Sequence, residues 1–211
     1  MQPKEHWEKV YATKPADAVS WYQEHADLSL RLVREAGLPL GASIIDVGGG
    51  ASTLVDDLLR EGYSSLTVLD LSASALSQAK VRLGERAENV TWIEANITDI
   101  TLPAHAYDLW HDRAVFHFLT TEQERKAYLS LLLRAVKPEG QLIIATFAED
   151  GPLQCSGLPV RRYSLSELQA ELGKAFTLVK HEREEHHTPA GAAQKFIYCH
   201  FKRSVPSMVQ E

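Results

Sequence analysis

The chain has 211 residues, 45% of them hydrophobic and 24% charged, with a formal net charge of −6. That is one domain's worth of sequence, long enough to bury a core without disulfide staples, and its composition excludes a disordered chain, a collagen-like chain and a disulfide scaffold. The acidic balance speaks against a nucleic-acid partner, which leaves a basic footprint. No apolar run approaches the ~18 residues of a membrane span, and the N-terminus carries no secretory signal. Cys155 and Cys199 form neither metal-ligand spacing nor a disulfide framework, so the expected compartment is the reducing cytoplasm, with no membrane and no metal.

In chain order, residues 1–40 read as a helical lead-in that concentrates Trp7, Tyr11, Trp21 and Tyr22, with one helix over 19–36 and a Gly37-Leu-Pro-Leu-Gly41 stop. A strand over 43–47 runs into Gly48-Gly49-Gly50. The next helix starts near Ser52 or Thr53, where Thr53-x-x-Asp56 fits a capping box. Strand 66–70 precedes a helix capped by Ser72 or Ser74 and ended by Gly84. Strands over 90–94 and 107–111 follow, then a helix with a Thr121-x-x-Glu124 capping box that ends at Lys137-Pro-Glu-Gly140. Strand 141–147 is continuous and apolar, as a central parallel strand should be. Residues 149–162 read as an irregular insertion. Ser164-x-x-Glu167 caps a last helix to Gly173. Strands over 176–183 and 195–201 close the chain, joined by a polar connection over 184–194, and residues 204–211 read as a tail. The alternation followed by a β-β ending predicts an α/β fold: a doubly wound, seven-stranded, mostly parallel Rossmann-like sheet with a C-terminal antiparallel hairpin, spanning 41–203.

In such a sheet, ligands bind at the carboxyl ends of the strands. Asp46-Val-Gly48-Gly49-Gly50-Ala51-Ser52 closes a strand and opens a helix, so glycines permit close backbone approach and the helix start offers unpaired N–H groups. Asp70, closing the next strand, is placed to accept ribose hydroxyls; capping its own turn is the alternative. The dinucleotide fingerprint fails at Thr53 and no phosphate-loop lysine follows. Asp46 inside the strand suits a ligand with an amino group and a positive charge.

These residues resemble the class I S-adenosylmethionine-dependent methyltransferases, small single-domain members in particular. The glycine motif is matched except at Ser52, and the likeness extends to Asp70, to Tyr107-Asp108-Leu109, to the Lys137-Pro-Glu-Gly140 turn and to the final hairpin. The resemblance implies S-adenosylmethionine as cofactor and S-adenosylhomocysteine as product. It implies Gly48, Gly50 and Ser52 at the methionine and ribose, Asp46 near the amino group, Asp70 on the ribose, and Leu71, Asn96 and Ile97 around the adenine. His111 would face the cofactor, and Trp7, Tyr11 and Trp21 would belong to an N-terminal lid. In-line transfer needs an aligned acceptor, and a base only where the acceptor arrives protonated. His111, Arg113 and His117 are the candidate catalytic groups. The structural alternatives are an Asp112 cap with Arg113 as its ion partner and a packed His117. Trp7, Cys155, Arg162 and His187 are candidate substrate contacts; His186 and His187, adjacent on a strand, point apart and do not suggest a metal. The implied function is methyl transfer to a small-molecule acceptor, with a protein lysine as the alternative and a non-catalytic S-adenosylmethionine sensor or scaffold as the rival from another class.

Overall fold

The computed structural model describes residues 4–205; most of the expected tail, 206–211, lies outside the described residues. Its centre is a seven-stranded sheet of order β3-β2-β1-β4-β5-β9-β8. Strands β1 (Ser43–Val47), β2 (Ser65–Asp70), β3 (Val90–Glu94), β4 (Tyr107–Arg113) and β5 (Val136–Phe147) are parallel. The antiparallel partner of β5 is β9 (Ala193–Arg203), which pairs in turn with the edge strand β8 (Phe176–His187). The chain steps outward from β1 to β3 and returns to β4 on the other side of β1, so the strand order reverses between β1 and β4, where such sheets open a crevice.

Both faces of the sheet are covered, and the central strands divide their side chains between the two layers. Ile45, Trp110 and Ile144 face a layer built on α5 (Glu122–Ala135) and α6 (Leu165–Leu172), with Tyr128, Leu132 and Leu168 at its centre. Ile44, Leu109 and Ile143 face α2 (Asp27–Glu35), α3 (Leu54–Arg60) and α4 (Ala73–Leu83), through Leu30, Val33, Leu54, Leu58 and Leu76. Alternation with period two explains why these strands read as unbroken apolar runs. Among the described residues no helix is long and apolar enough to cross a membrane.

The N-terminal region departs from the expected single helix over 19–36. Helix α1 (Lys4–Thr13) and a 3-10 turn at Ala16–Ala18 come first, and only Asp27–Glu35 of the expected span is helical. Residues 19–26 lose their helix to tertiary bonds on their carbonyls: His186 Nε2 lies 2.8 Å from Ser20 O, Arg113 Nη1 donates to Trp21 O and Thr53 Oγ1 to Gln23 O. That last bond also removes the expected capping box at Thr53, whose side chain caps nothing, while Asp56 receives the Arg82 guanidinium. The boxes at Thr121 and Ser164 both form, and Ser72 caps α4.

Four strands are longer than their patterns suggested, among them β9, which spans Ala193–Arg203 rather than 195–201. β4 runs on past His111 through Asp112 and Arg113 because β1 and β5 continue to pair with it. β5 absorbs the Lys137–Gly140 turn as a register shift, with Glu139 at φ +63° and no room for a Cβ at Gly140 against Lys137 O. β8 extends through Glu184 to His187, leaving residues 188–192 as the connection; an edge strand tolerates charged side chains. The segment 149–162 holds a small antiparallel pair, β6 (Gln154–Cys155) and β7 (Leu158–Pro159).

Thr121→Ala and Ser164→Ala should each lower unfolding free energy by about 1 kcal/mol in a denaturant titration. Thr53→Ala should move the midpoint less, since its hydroxyl caps no helix.

Candidate active site

A cleft opens over the carboxyl ends of β1, β2, β3 and β4. Its floor is Gly48, Leu69, Asp70, Leu71 and Ile97, and its roof is Trp7 and Tyr11 of α1, Trp21, Phe118 and Cys155. The roof rings meet edge to face: Trp7 with Trp21 at 5.6 Å and with Phe118 at 5.2 Å, and Tyr11 with Trp21 at 5.9 Å between centroids. A smaller cavity continues past Gly48 and Gly49, lined among others by Asp46, Ser52, His111 and Arg113.

The glycines are required by geometry. Gly48 sits at φ +70°, and a Cβ there would overlap the Cγ2 of Val115 from the turn after β4. At Gly50 a Cβ would stand 2.5 Å from Asp70 Oδ2 and 2.8 Å from Ala75 Cβ. The turn after β1 is thus pressed on both sides, by the loop after β4 and by the carboxylate ending β2.

Asp70 is 8% exposed, and its Oδ1 accepts the Ser72 N–H at 2.8 Å. Burial pushes its carboxyl up to about 7, against the bonds from backbone N–H groups of Ser72, Gly50 and Leu71. The side chain thus caps its own turn, the alternative role expected of it, and also lines the cleft. Asp46 is also buried. Its Oδ1 lies 2.6 Å from His111 Nδ1, whose Nε2 lies 2.9 Å from Ser29 Oγ on α2, while Asp46 Oδ2 has no hydrogen-bond partner. His111 is therefore inside β4, as expected, and clamped at both nitrogens.

Arg113 lines both cavities. Its Nε donates to Tyr198 Oη at 2.7 Å and its Nη1 to Trp21 O at 3.2 Å, and its plane stacks 4.5 Å over Phe196. Its ion partner is Glu184, not Asp112, at 3.5 Å from Nη2, an atom without a hydrogen-bond acceptor. Asp112 is the expected cap, taking the N–H groups of Val115 and Phe116.

The remaining expected residues divide. Trp7, Tyr11, Trp21, Leu71, Ile97 and Cys155 line the cleft; Cys155 is buried, which pushes its thiol up to about 12 and keeps it protonated. Asn96 lies between lining residues but turns its side chain to Thr98 and Asp99. His117 is fully buried against Phe118 and Phe147, accepts the Phe147 N–H at 3.3 Å, and is pushed down to about 3 by burial, so it is neutral. Arg162 Nη1 donates to Gly151 O, closing its own loop, and His187 is exposed on the hairpin, 3.5 Å from Glu185. Neither Arg162 nor His187 lines the cleft. Sequence reasoning missed Val115, Phe118 and Leu119 in the wall; the apolar run after strand four was the available signal.

Comparison with known proteins agrees with this arrangement. Residues 44–140 match the methyltransferase domain family. EEF1A lysine methyltransferase 2 of Mus musculus is 23% identical over 163 residues, 68% of this chain and 64% of that protein, so the match spans somewhat less than two thirds of the relative. Burkholderia thailandensis 1,6-didemethyltoxoflavin-N1-methyltransferase, solved with bound 1,6-didemethyltoxoflavin and S-adenosylhomocysteine, superposes with a TM-score of 0.71 at 20% identity, covering 96% of this chain and 87% of that one. A structure from work on the conversion of a disulfide bond into a thioacetal group during echinomycin biosynthesis gives a TM-score of 0.75 at 19% identity, covering 97% and 93%. Residues 44–140 therefore form a methyltransferase domain, and the seven-stranded sheet has the fold of methyltransferases that use S-adenosylmethionine.

Proposed function

We propose that the chain transfers a methyl group from S-adenosylmethionine to a small acceptor that is neutral or anionic, and that a lysine ammonium is not its substrate. The carrying observation is the charge of the cleft. Its lining holds one cation, Arg113, and one carboxylate, Asp70. In this reading Asp70 is committed to the ribose hydroxyls, so no carboxylate is left to receive an ammonium. Glu184 lies behind Arg113 and is engaged by Gln23 and Tyr198. Arg113, backed by its ion partner Glu184, is the guanidinium the cleft offers to an anionic acceptor, and guanidinium–carboxylate pairing is strong.

The residues present fit the cofactor. Gly48 leaves the turn open to close approach and Gly50 makes room for the Asp70 carboxylate beside it; Asp46 would receive the amino group, and Leu71 and Ile97, with Asn96 beside them, would hold the adenine. When bound, the cofactor supplies an electrophilic methyl on a positively charged sulfur. The chain's own work is then to orient and to exclude water. Trp7, Tyr11 and Trp21, in a cover formed by residues 1–40, close an aromatic roof that favours a cation by cation–π attraction. Arg113 aligns the acceptor, and His111 fixes Asp46. His117, neutral and buried, supports the wall after β4. Cys155 presents a protonated thiol and acts as an apolar contact.

Three outcomes test this reading. Incubation with S-adenosylmethionine should release S-adenosylhomocysteine with aromatic carboxylate or heteroaromatic acceptors, and Arg113→Met should lower kcat/KM for a carboxylate acceptor about 100-fold, as expected when one partner of a buried charged pair is lost; turnover of a lysine peptide with none of the small acceptors would overturn it. Gly48→Val should abolish S-adenosylhomocysteine binding by calorimetry while leaving the circular dichroism of the fold. A proton competes for Asp70 below pH of about 7, and only the carboxylate accepts both hydroxyls, so affinity for S-adenosylhomocysteine should fall by up to about tenfold per pH unit below 7.

A further inference from the structure

Asp112 lines neither cavity, yet it is fully buried beside them and makes more bonds than a turn cap needs. Its Oδ1 accepts the Val115 N–H at 2.9 Å, and its Oδ2 accepts the Phe116 N–H at 3.1 Å and the Tyr128 hydroxyl of α5 at 2.6 Å. Tyr128 in turn accepts the Trp110 Nε1–H at 2.9 Å, so the chain of bonds is anchored in fully buried side chains of the core.

What this anchor holds is an unfavourable piece of backbone. Ala114 has φ +72°, a region that side chains rarely adopt without compensation. That conformation places Ala114 and Val115 in the cleft wall and sets the Val115 methyl in the space where Gly48 lacks a Cβ. The turn after β4 and the glycine turn after β1 therefore fit as a pair, and Asp112 is the group that satisfies the N–H donors of the former. A buried carboxylate accepting two N–H groups and a hydroxyl is costly unless every bond is made, so the carboxylate and the strained turn hold each other.

We propose that Asp112 is a positioning residue of the cofactor cleft, acting through the Ala114–Val115 turn on the surface opposite Gly48 and touching no ligand itself. The proposal rests on the reading of this cleft as the S-adenosylmethionine site. Asp112→Asn keeps the shape but sets an NH2 against donors, and Tyr128→Phe removes one bond while leaving both N–H contacts.

The test is calorimetric titration with S-adenosylhomocysteine at pH 8, with thermal midpoints measured in parallel. Asp112→Asn should weaken binding at least tenfold and Tyr128→Phe about threefold. Leu131→Ala, in the same core layer but away from the turn, should lower the midpoint and leave affinity within twofold. The penalty of each of the first two substitutions should shrink in an Ala114→Gly background, because glycine adopts the positive φ without help. Equal loss of affinity and midpoint in all three variants, or a penalty unchanged by Ala114→Gly, would show a merely structural role and overturn the proposal. If Asp112→Asn does not fold, Tyr128→Phe with and without Ala114→Gly decides it alone. Failure of the wild-type protein to bind S-adenosylhomocysteine would instead remove the cofactor reading.

Discussion

The molecule depends on carboxylates buried at the ends of adjacent parallel strands. Asp46 of β1, Asp70 of β2 and Asp112 of β4 stand around the switch in strand order, each below a tenth exposed. Charges are expensive there, and each is met by hydrogen bonds: Asp46 by His111, Asp70 by the N–H groups at the start of α4, Asp112 by the turn after β4. The compensation is incomplete. Burial holds Asp70 up near 7 and Asp112 up near 6, from 3.8. Each keeps a proton in the folded chain at pH values where the unfolded chain has released it. Their contribution to stability is therefore present below about 3.8 and lost as pH rises through 6 to 7.

The elements above the site are fastened differently from those below it. Under the cleft, the strands are locked by parallel ladders and apolar layers on both faces. Over it, α1 is joined to the body by polar contacts: Glu8 with the N–H of Ala73 and the Ser74 hydroxyl, Gln78 with Tyr11 O, and Lys4 with Glu94. Exposed ion pairs contribute little, so the aromatic contacts of Trp7, Tyr11 and Trp21 supply most of the attachment. An element held this way opens at far lower cost than a core strand, which is what passage of a cofactor-sized molecule requires.

Which features were legible in the sequence follows from how local they are. The glycine turn, Asp70 and the boxes at Thr121 and Ser164 are set by residues within a few positions of one another, and each was readable. Thr53-x-x-Asp56 carried the same signal and failed because Gln23, thirty residues earlier, takes the hydroxyl. Helix α1 carried a signal that was passed over, Trp7, Val10 and Tyr11 at helical spacing, whereas the loop over 19–26 is made by His186, Arg113 and Thr53, which no local pattern reveals. Glu184 to His187 look like a loop by charge and are a strand by pairing. Arg162 and His187 have the chemistry of a site without its location, since neither lines the cleft.

The bonds among Ser29, His111 and Asp46 show how far connectivity alone falls short of chemistry. Serine hydroxyl to imidazole to carboxylate is the order of a nucleophilic triad, and the separations, 2.9 and 2.6 Å, are those of one. Yet Ser29 is 1% exposed and lines neither cavity, so no carbonyl reaches its oxygen. What the arrangement accomplishes is positional. With Nε2 occupied by α2 and Nδ1 by Asp46, the imidazole cannot rotate, and one carboxylate oxygen is held while the other, Oδ2, is buried without a partner on a residue that lines the smaller cavity. It is the histidine's immobility, held from both ring nitrogens, that fixes the Asp46 carboxylate under the glycine turn.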